Sequence, residues 1–177
     1  MSDESGEENC RPATLADLKT LIHSLNEQKA DYLLIGGYAL FTQGFQRATT
    51  AIDLLVPATQ DSGSRAKKAL LVLPDKAASD IELEWFEEGE NIRVLDSIAV
   101  DLILSTCGET YESLKKYSQI VYLEEVPIMT VTLDGLLRTK QSVREKDVMD
   151  RKVIEGALAL LRMDPENEAG KKKPNWW

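Results

Sequence analysis

The chain has 177 residues, 43% of them hydrophobic and 29% charged, with 21 Lys and Arg against 30 Asp and Glu, a net charge of −9 and a pI near 4.7. That length supports one hydrophobic core and not two generous domains. No apolar run approaches the ~20 residues of a membrane span, and the acidic balance opposes broad electrostatic capture of nucleic acid, so any RNA contact has to be local.

Residues 1–11 read as an acidic tail. Met1-Ser2-Asp3-Glu4-Ser5-Gly6-Glu7-Glu8-Asn9 lacks the basic and apolar regions of a signal peptide, which points to a cytoplasmic protein. Cys10 and Cys107 have no metal-ligand spacing and form no disulfide framework, as expected of ordinary thiols in a reducing compartment.

From residue 12 to about 29, Leu15, Leu18, Leu21, Ile22 and Leu25 recur at helical spacing and predict an amphipathic helix. His23, the single histidine, has no Cys, Asp or Glu companion at a ligand-like spacing and reads as a helix-surface residue. Residues 32–35 form a short apolar strand running into Gly36-Gly37, with a helix opening at Tyr38. A strand over 52–56 follows, then a helix over 64–73 and a hairpin over 81–95 turning at Glu88-Gly89-Glu90-Asn91.

Residues 98–104 give the clearest strand, since Ile98, Val100, Leu102 and Leu104 alternate with Ala99, Asp101 and Ile103. A helix over 111–117 and strand segments over 120–122 and 127–131 come next. Thr132 then caps a helix running from Leu133 to about residue 161. The expected domain spans 12–162. Residues 163–177 form a basic and aromatic tail ending in Lys171-Lys172-Lys173-Pro174-Asn175-Trp176-Trp177, read as solvated.

Four features carry chemistry. Gly36-Gly37 between strand and helix presents backbone amides without side-chain obstruction, a setting suited to phosphate, although many tight turns use the same pair. In the strand over 52–56, Ala51 and Asp53 project to one face while Ile52, Leu54 and Val56 face the core. Asp101 on another strand gives a second carboxylate, and two carboxylates from different strands can converge on a divalent cation; two unrelated surface aspartates are the alternative. On the last helix, Lys140, Asp147 and Asp150 fall within the apolar stripe of Leu136, Val143, Ile154 and Leu161. Inward charges of this kind imply either a polar cleft or a structural ion-pair cluster. Arg47, just before the Ala51 strand, reads as a phosphate-neutralising group or a loop cation, and Arg144 as a solvated helix residue.

Over residues 33–161 this pattern resembles the minimal nucleotidyltransferases of the DNA polymerase β superfamily, in particular the toxin-type branch of toxin–antitoxin and abortive-infection systems. The matching positions are Gly36-Gly37, Tyr38, Arg47, Thr49, the triplet Ala51-Ile52-Asp53, Asp101, Lys140 and Lys146-Asp147. The branch carries Asp-x-Asp where this chain has Ala51-Ile52-Asp53. Alanine thus replaces a metal-binding carboxylate, either as a substitution that silences the enzyme, which the intact surroundings favour, or in a naturally degenerate member.

The resemblance implies an α/β nucleotidyltransferase fold: a small twisted mixed sheet carrying Asp53 and Asp101, helices packed on one face, and the C-terminal helix closing the cleft. It implies a parent activity that moves a nucleoside monophosphate from a nucleoside triphosphate to an RNA (transfer RNA) or protein acceptor, as a bacterial toxin with an antitoxin partner. Mg²⁺, or Mn²⁺ in its place, would be held by Asp53 and Asp101, the catalytic pair beside Ala51. The nucleotide would be held by Gly36, Gly37, Arg47, Thr49, Lys140 and Asp147. A non-catalytic nucleotide- or partner-binding module is the main alternative. Antibiotic nucleotidyltransferases share the fold but add an acceptor-binding segment not evident in this sequence.

Overall fold

The computed structural model describes residues 10–45 and 49–163. Arg47 and most of both expected tails lie outside them. Within the described part, Cys10 and Arg11 are fastened to the fold: Cys10 Sγ donates to Asp96 O, Arg11 N to Ser97 O, and the Arg11 side chain pairs with Asp17.

Helix α1 (Leu15–Glu27) starts at a reciprocal cap in which the Thr14 hydroxyl accepts from Asp17 N and the Asp17 carboxylate accepts from Thr14 N. It buries Leu18, Leu21, Ile22 and Leu25, while Leu15 stays at the surface. His23 is on the exposed side, as expected, but it does have an acidic companion: Glu27, one helical turn on, lies 3.1 Å away. Strand β1 (Leu33–Ile35) passes directly into α2 (Gly36–Thr42), followed by β2 (Ala51–Leu55), α3 (Gln60–Leu70), a 3-10 turn (Ala77–Asp80), α4 (Glu84–Glu88), β3 (Ile92–Leu95) and β4 (Ala99–Ile103). Next come α5 (Tyr111–Leu114), a 3-10 turn (Lys115–Tyr117), β5 (Ser118–Leu123), β6 (Val126–Val131), α6 (Leu133–Arg138) and α7 (Glu145–Met163). Among the described residues no helix is long and apolar enough to cross a membrane.

The chain is α/β. Its six-stranded mixed sheet has the order β3-β4-β2-β1-β6-β5, with β1–β6 and β2–β4 parallel and the other neighbours antiparallel. Residues that share a register row point to the same face. One face therefore carries Leu34, Ile52, Leu54, Val100, Leu102, Ile128 and Thr130, all fully buried. The other carries Ala51, Asp53, Asp101 and Ile103, all half-buried. Val131 belongs to this second face, and a Cβ added at Gly135 of α6 would meet it at 2.4 Å. Helical cover therefore extends to the aspartate face and is not confined to the apolar one.

Two sequence expectations change. The hairpin over 81–95 is a short helix followed by one strand: Phe86, out of phase with the inward Ile81 and Leu83, is fully buried, while Trp85, in phase with them, stays at the surface. Phe86 fills a notch in α3 that exists because residue 63 has no side chain; a Cβ on Gly63 would lie 2.3 Å from the ring. The single helix over 133–161 is in fact two, α6 and α7. Thr139 Oγ1 donates to Leu136 O at 2.6 Å, and Arg151 takes the carbonyls of Lys140 and Ser142, the latter at 2.7 Å. Side chains thus satisfy backbone groups that a continuous helix would have paired internally. Val143, assigned by its spacing to the apolar stripe, is 96% exposed in the break.

Gly63→Ala should destabilise the protein by about 1–3 kcal/mol, because the enclosed Phe86 ring has no room to retreat. Urea denaturation followed by circular dichroism checks this.

Candidate functional site

The sheet register sets out the site. Asp53 on β2 is paired with Asp101 on β4, Asp101 with Arg93 on β3, and Asp53 with Ile35 on β1. One row across four strands therefore reads Ile35, Asp53, Asp101, Arg93 on a single face. Arg93 Nε donates to Asp101 Oδ1 at 3.0 Å.

The glycine pair makes room for this row. Gly36 has φ +72°, and a Cβ there would fall 2.2 Å from Asp53 Oδ2, so only glycine admits the carboxylate against the β1–α2 junction. A Cβ on Gly37 would lie 2.7 Å from Thr49 Cβ. Thr49 in turn donates to Ala51 O at 3.0 Å and ties down the start of β2.

The carboxyl of Asp53 is pushed up to about 7, by burial first, then by the negative charge of Asp101 and a hydrogen bond shared with it; Lys140 and Lys146 pull the other way. Asp53 thus keeps its proton to a higher pH than an ordinary aspartate.

Lys140 lies in the turn between α6 and α7 with its side chain 90% buried, its Nζ 3.0 Å from Asp150 Oδ2 and 3.8 Å from Asp147 Oδ1. Asp147 accepts a short hydrogen bond from the Ser142 hydroxyl and lies 3.2 Å from Arg144 Nη2. Burial alone would raise its carboxyl; Ser142, Arg144 and Lys140 outweigh burial and hold it below the usual range.

These elements enclose a cavity of about 350 Å³ lined by Gly36, Asp53, Asp101, Lys140 and Asp147 among others. The cations facing it are Arg93, Lys140, Arg144 and Lys146, against the carboxylates Asp53, Asp101 and Asp147. With Asp150, the buried counter-ion of Lys140, four carboxylates answer four cations, so a chain of net charge −9 gathers a near-balanced set of charges around this cavity, with several cations in reach of an anion.

Of the residues expected from sequence, the cavity unites Gly36, Asp53, Asp101, Lys140 and Asp147. Gly37 and Thr49 support it from behind, and Ala51 lies two residues before Asp53 on the same face, paired with Ala99. Asp150 does not line the cavity and acts as the counter-ion of Lys140. Arg144, expected to be solvated, does line it, although most of its side chain remains exposed. Sequence reasoning missed Arg93 and Asn91. Arg93 stands between Ile92 and Val94 as an ordinary outward strand residue, and only the β3–β4 register makes it the partner of Asp101.

No protein-family model matches the chain, and no curated protein matches it in sequence. Among the described residues, no three His, Cys, Asp or Glu side chains converge as a metal-holding group. Asp53 and Asp101 make two donors, and position 51, where a third would project on the same face, bears a methyl group.

Asp53→Asn should stabilise the fold at pH 8 by roughly 1–3 kcal/mol. The folded-state pKa of Asp53 is raised, so the wild-type protein loses stability as pH climbs from about 4, where the unfolded aspartate ionises, through about 7. The amide does not titrate, so the gain should shrink to nothing near pH 4. Thermal melts across this range check both sign and window.

Proposed function

We propose that this chain is a nucleotidyltransferase-type module that binds a nucleoside triphosphate in the Asp53–Asp101 cavity and, with alanine at 51, transfers nucleotides poorly or not at all. The observation that carries the reading is the in-register pair Asp53 and Asp101, with Asp53 lying against the Gly36 backbone, in a cavity lined by four cations. A triphosphate suits that lining, since Arg93, Lys140, Arg144 and Lys146 all border the cavity.

Mg²⁺ or Mn²⁺, held by Asp53 and Asp101 when bound, would neutralise charge developing on the transferred phosphoryl group. The chain's own residues do the rest. Gly36 keeps the approach to Asp53 clear, Lys140 and Arg144 hold phosphate oxygens, and Asp147 fixes the position of both cations. The acceptor is an RNA such as transfer RNA, or a protein, and the cellular role is that of a cytoplasmic toxin with an antitoxin partner. The acidic net charge limits an RNA acceptor to contacts near the cavity.

A second reading, a nucleotide-binding module without turnover, is favoured by the Arg93–Asp101 ion pair. It supplies fixed positive charge beside one of the two carboxylates, at the place where a metal's charge would otherwise be required.

The chain and its Ala51→Asp variant should be incubated with each labelled nucleoside triphosphate, Mg²⁺ and cell extract, following label into RNA and protein. Restoring the carboxylate should raise transfer by at least about tenfold to a hundredfold, the scale on which metal-site partners act. Triphosphate binding by both proteins with transfer by neither would establish the binding module, and no binding by either would overturn both readings.

A further inference from the structure

The sheet ends in two unlike edges. Strand β3 is four residues long, carries Arg93, and packs beside the 3-10 turn Ala77–Asp80. Strand β5, Ser118-Gln119-Ile120-Val121-Tyr122-Leu123, is longer and contains no proline, glycine or charge. Proline, inward charge and short length are the usual protections of an edge against pairing with another chain, and β5 has none of them.

Tyr117 O accepts from Thr132 N at 2.7 Å, and bonded and non-bonded pairs alternate along an antiparallel ladder. With the β5–β6 register, this turns the main-chain groups of Gln119, Val121 and Leu123 toward β6 and those of Ser118, Ile120 and Tyr122 outward. Ile120 and Tyr122 are 55% and 65% exposed; their register partners on β6 are Met129 and Pro127, which extend the same apolar patch.

Charge at the strand's two ends is opposite in sign. Lys115 and Lys116 precede β5, and Glu124 and Glu125 follow it. Lys19 bridges both glutamates at 2.7 and 2.8 Å, one cation shared by two carboxylates, so that end keeps a negative excess.

We propose that β5 is a self-complementary interface at which a second copy of this chain adds its own β5 antiparallel, about a two-fold axis through Ile120, making one continuous sheet. In that register Ser118 faces Tyr122 of the second copy and Ile120 faces its own counterpart, so outward main-chain groups meet outward main-chain groups. The Lys115–Lys116 end of each copy then lies beside the Glu124–Glu125 end of the other, twice over by symmetry. An isologous contact of this kind closes on itself and does not propagate into a fibre. The inference is independent of what the cavity binds.

The full-length chain should sediment at up to twice its 19.8 kDa as concentration rises. Ile120→Lys sets two cations face to face on the axis and should raise the dimer dissociation constant by about tenfold or more, with circular dichroism unchanged and melting unchanged at concentrations where the wild type is monomeric, because the side chain is exposed. The double variants Lys115→Glu/Lys116→Glu and Glu124→Lys/Glu125→Lys should each be monomeric alone and form a heterodimer when mixed. A chain that stays monomeric up to about 1 mM would overturn the interface. So would a dimer indifferent to Ile120→Lys and to both charge reversals, as expected if copies met instead through the exposed Met149, Val153, Leu160 and Met163 stripe of α7.

Discussion

Parallel pairing of β2 with β4 places two aspartates side by side, and much of the surrounding structure answers that placement. Asp53 and Asp101 share a register row, so their repulsion cannot be relieved by a change of rotamer alone. The protein offsets it in three ways: a guanidinium from the next strand on Asp101, ammonium groups from Lys140 and Lys146 facing Asp53, and partial retention of a proton by Asp53 itself. The first depends on the antiparallel register of β3, the second on the turn between α6 and α7. The third depends on burial against Gly36, where any side chain would displace the carboxylate.

The break between α6 and α7 is accordingly part of the site. A continuous helix would have carried Lys140 on its side, whereas the turn buries it among Asp147, Asp150 and the cavity. Buried ion pairs seldom repay their desolvation by Coulomb attraction alone; they need hydrogen bonds on the remaining atoms. Asp147 has those from Ser142 and Arg144, and the carbonyls freed by the break are taken up by Arg151. The polar cluster therefore fixes where the helices end and the direction in which Lys140 points.

How far the sequence spoke for itself varied with the range of the interaction. Local periodicity was enough for α1, β1, β2 and β4, and the period-2 alternation around Asp101 correctly put it on the less apolar face. It misled at Phe86, whose burial depends on a missing side chain at Gly63, more than twenty residues earlier. At 139–144 it gave the right residues for the wrong reason: Lys140 and Asp147 do face inward together, but across a turn and not along one helical stripe. Arg93 and Arg144 entered the cavity through strand pairing and side-chain reach, which spacing does not encode. Asp53, Asp101 and the glycine pair were legible because each needs a particular residue type at a particular place: acid on a strand's polar face, or no side chain at a junction.

Charge balance also bears on what alanine at 51 means. Four cations face the cavity and four carboxylates answer them, Asp150 included, so one carboxylate more tips the balance to negative. A third carboxylate at 51 would project from the same face as Asp53, opposite Ala99 in the register. It would further raise the cost of ionising Asp53 unless a cation entered the cavity. One methyl group in place of one carboxylate thus separates two electrostatic regimes: a cavity whose charges are balanced within the protein, and one with a negative excess that a cation from outside would have to offset.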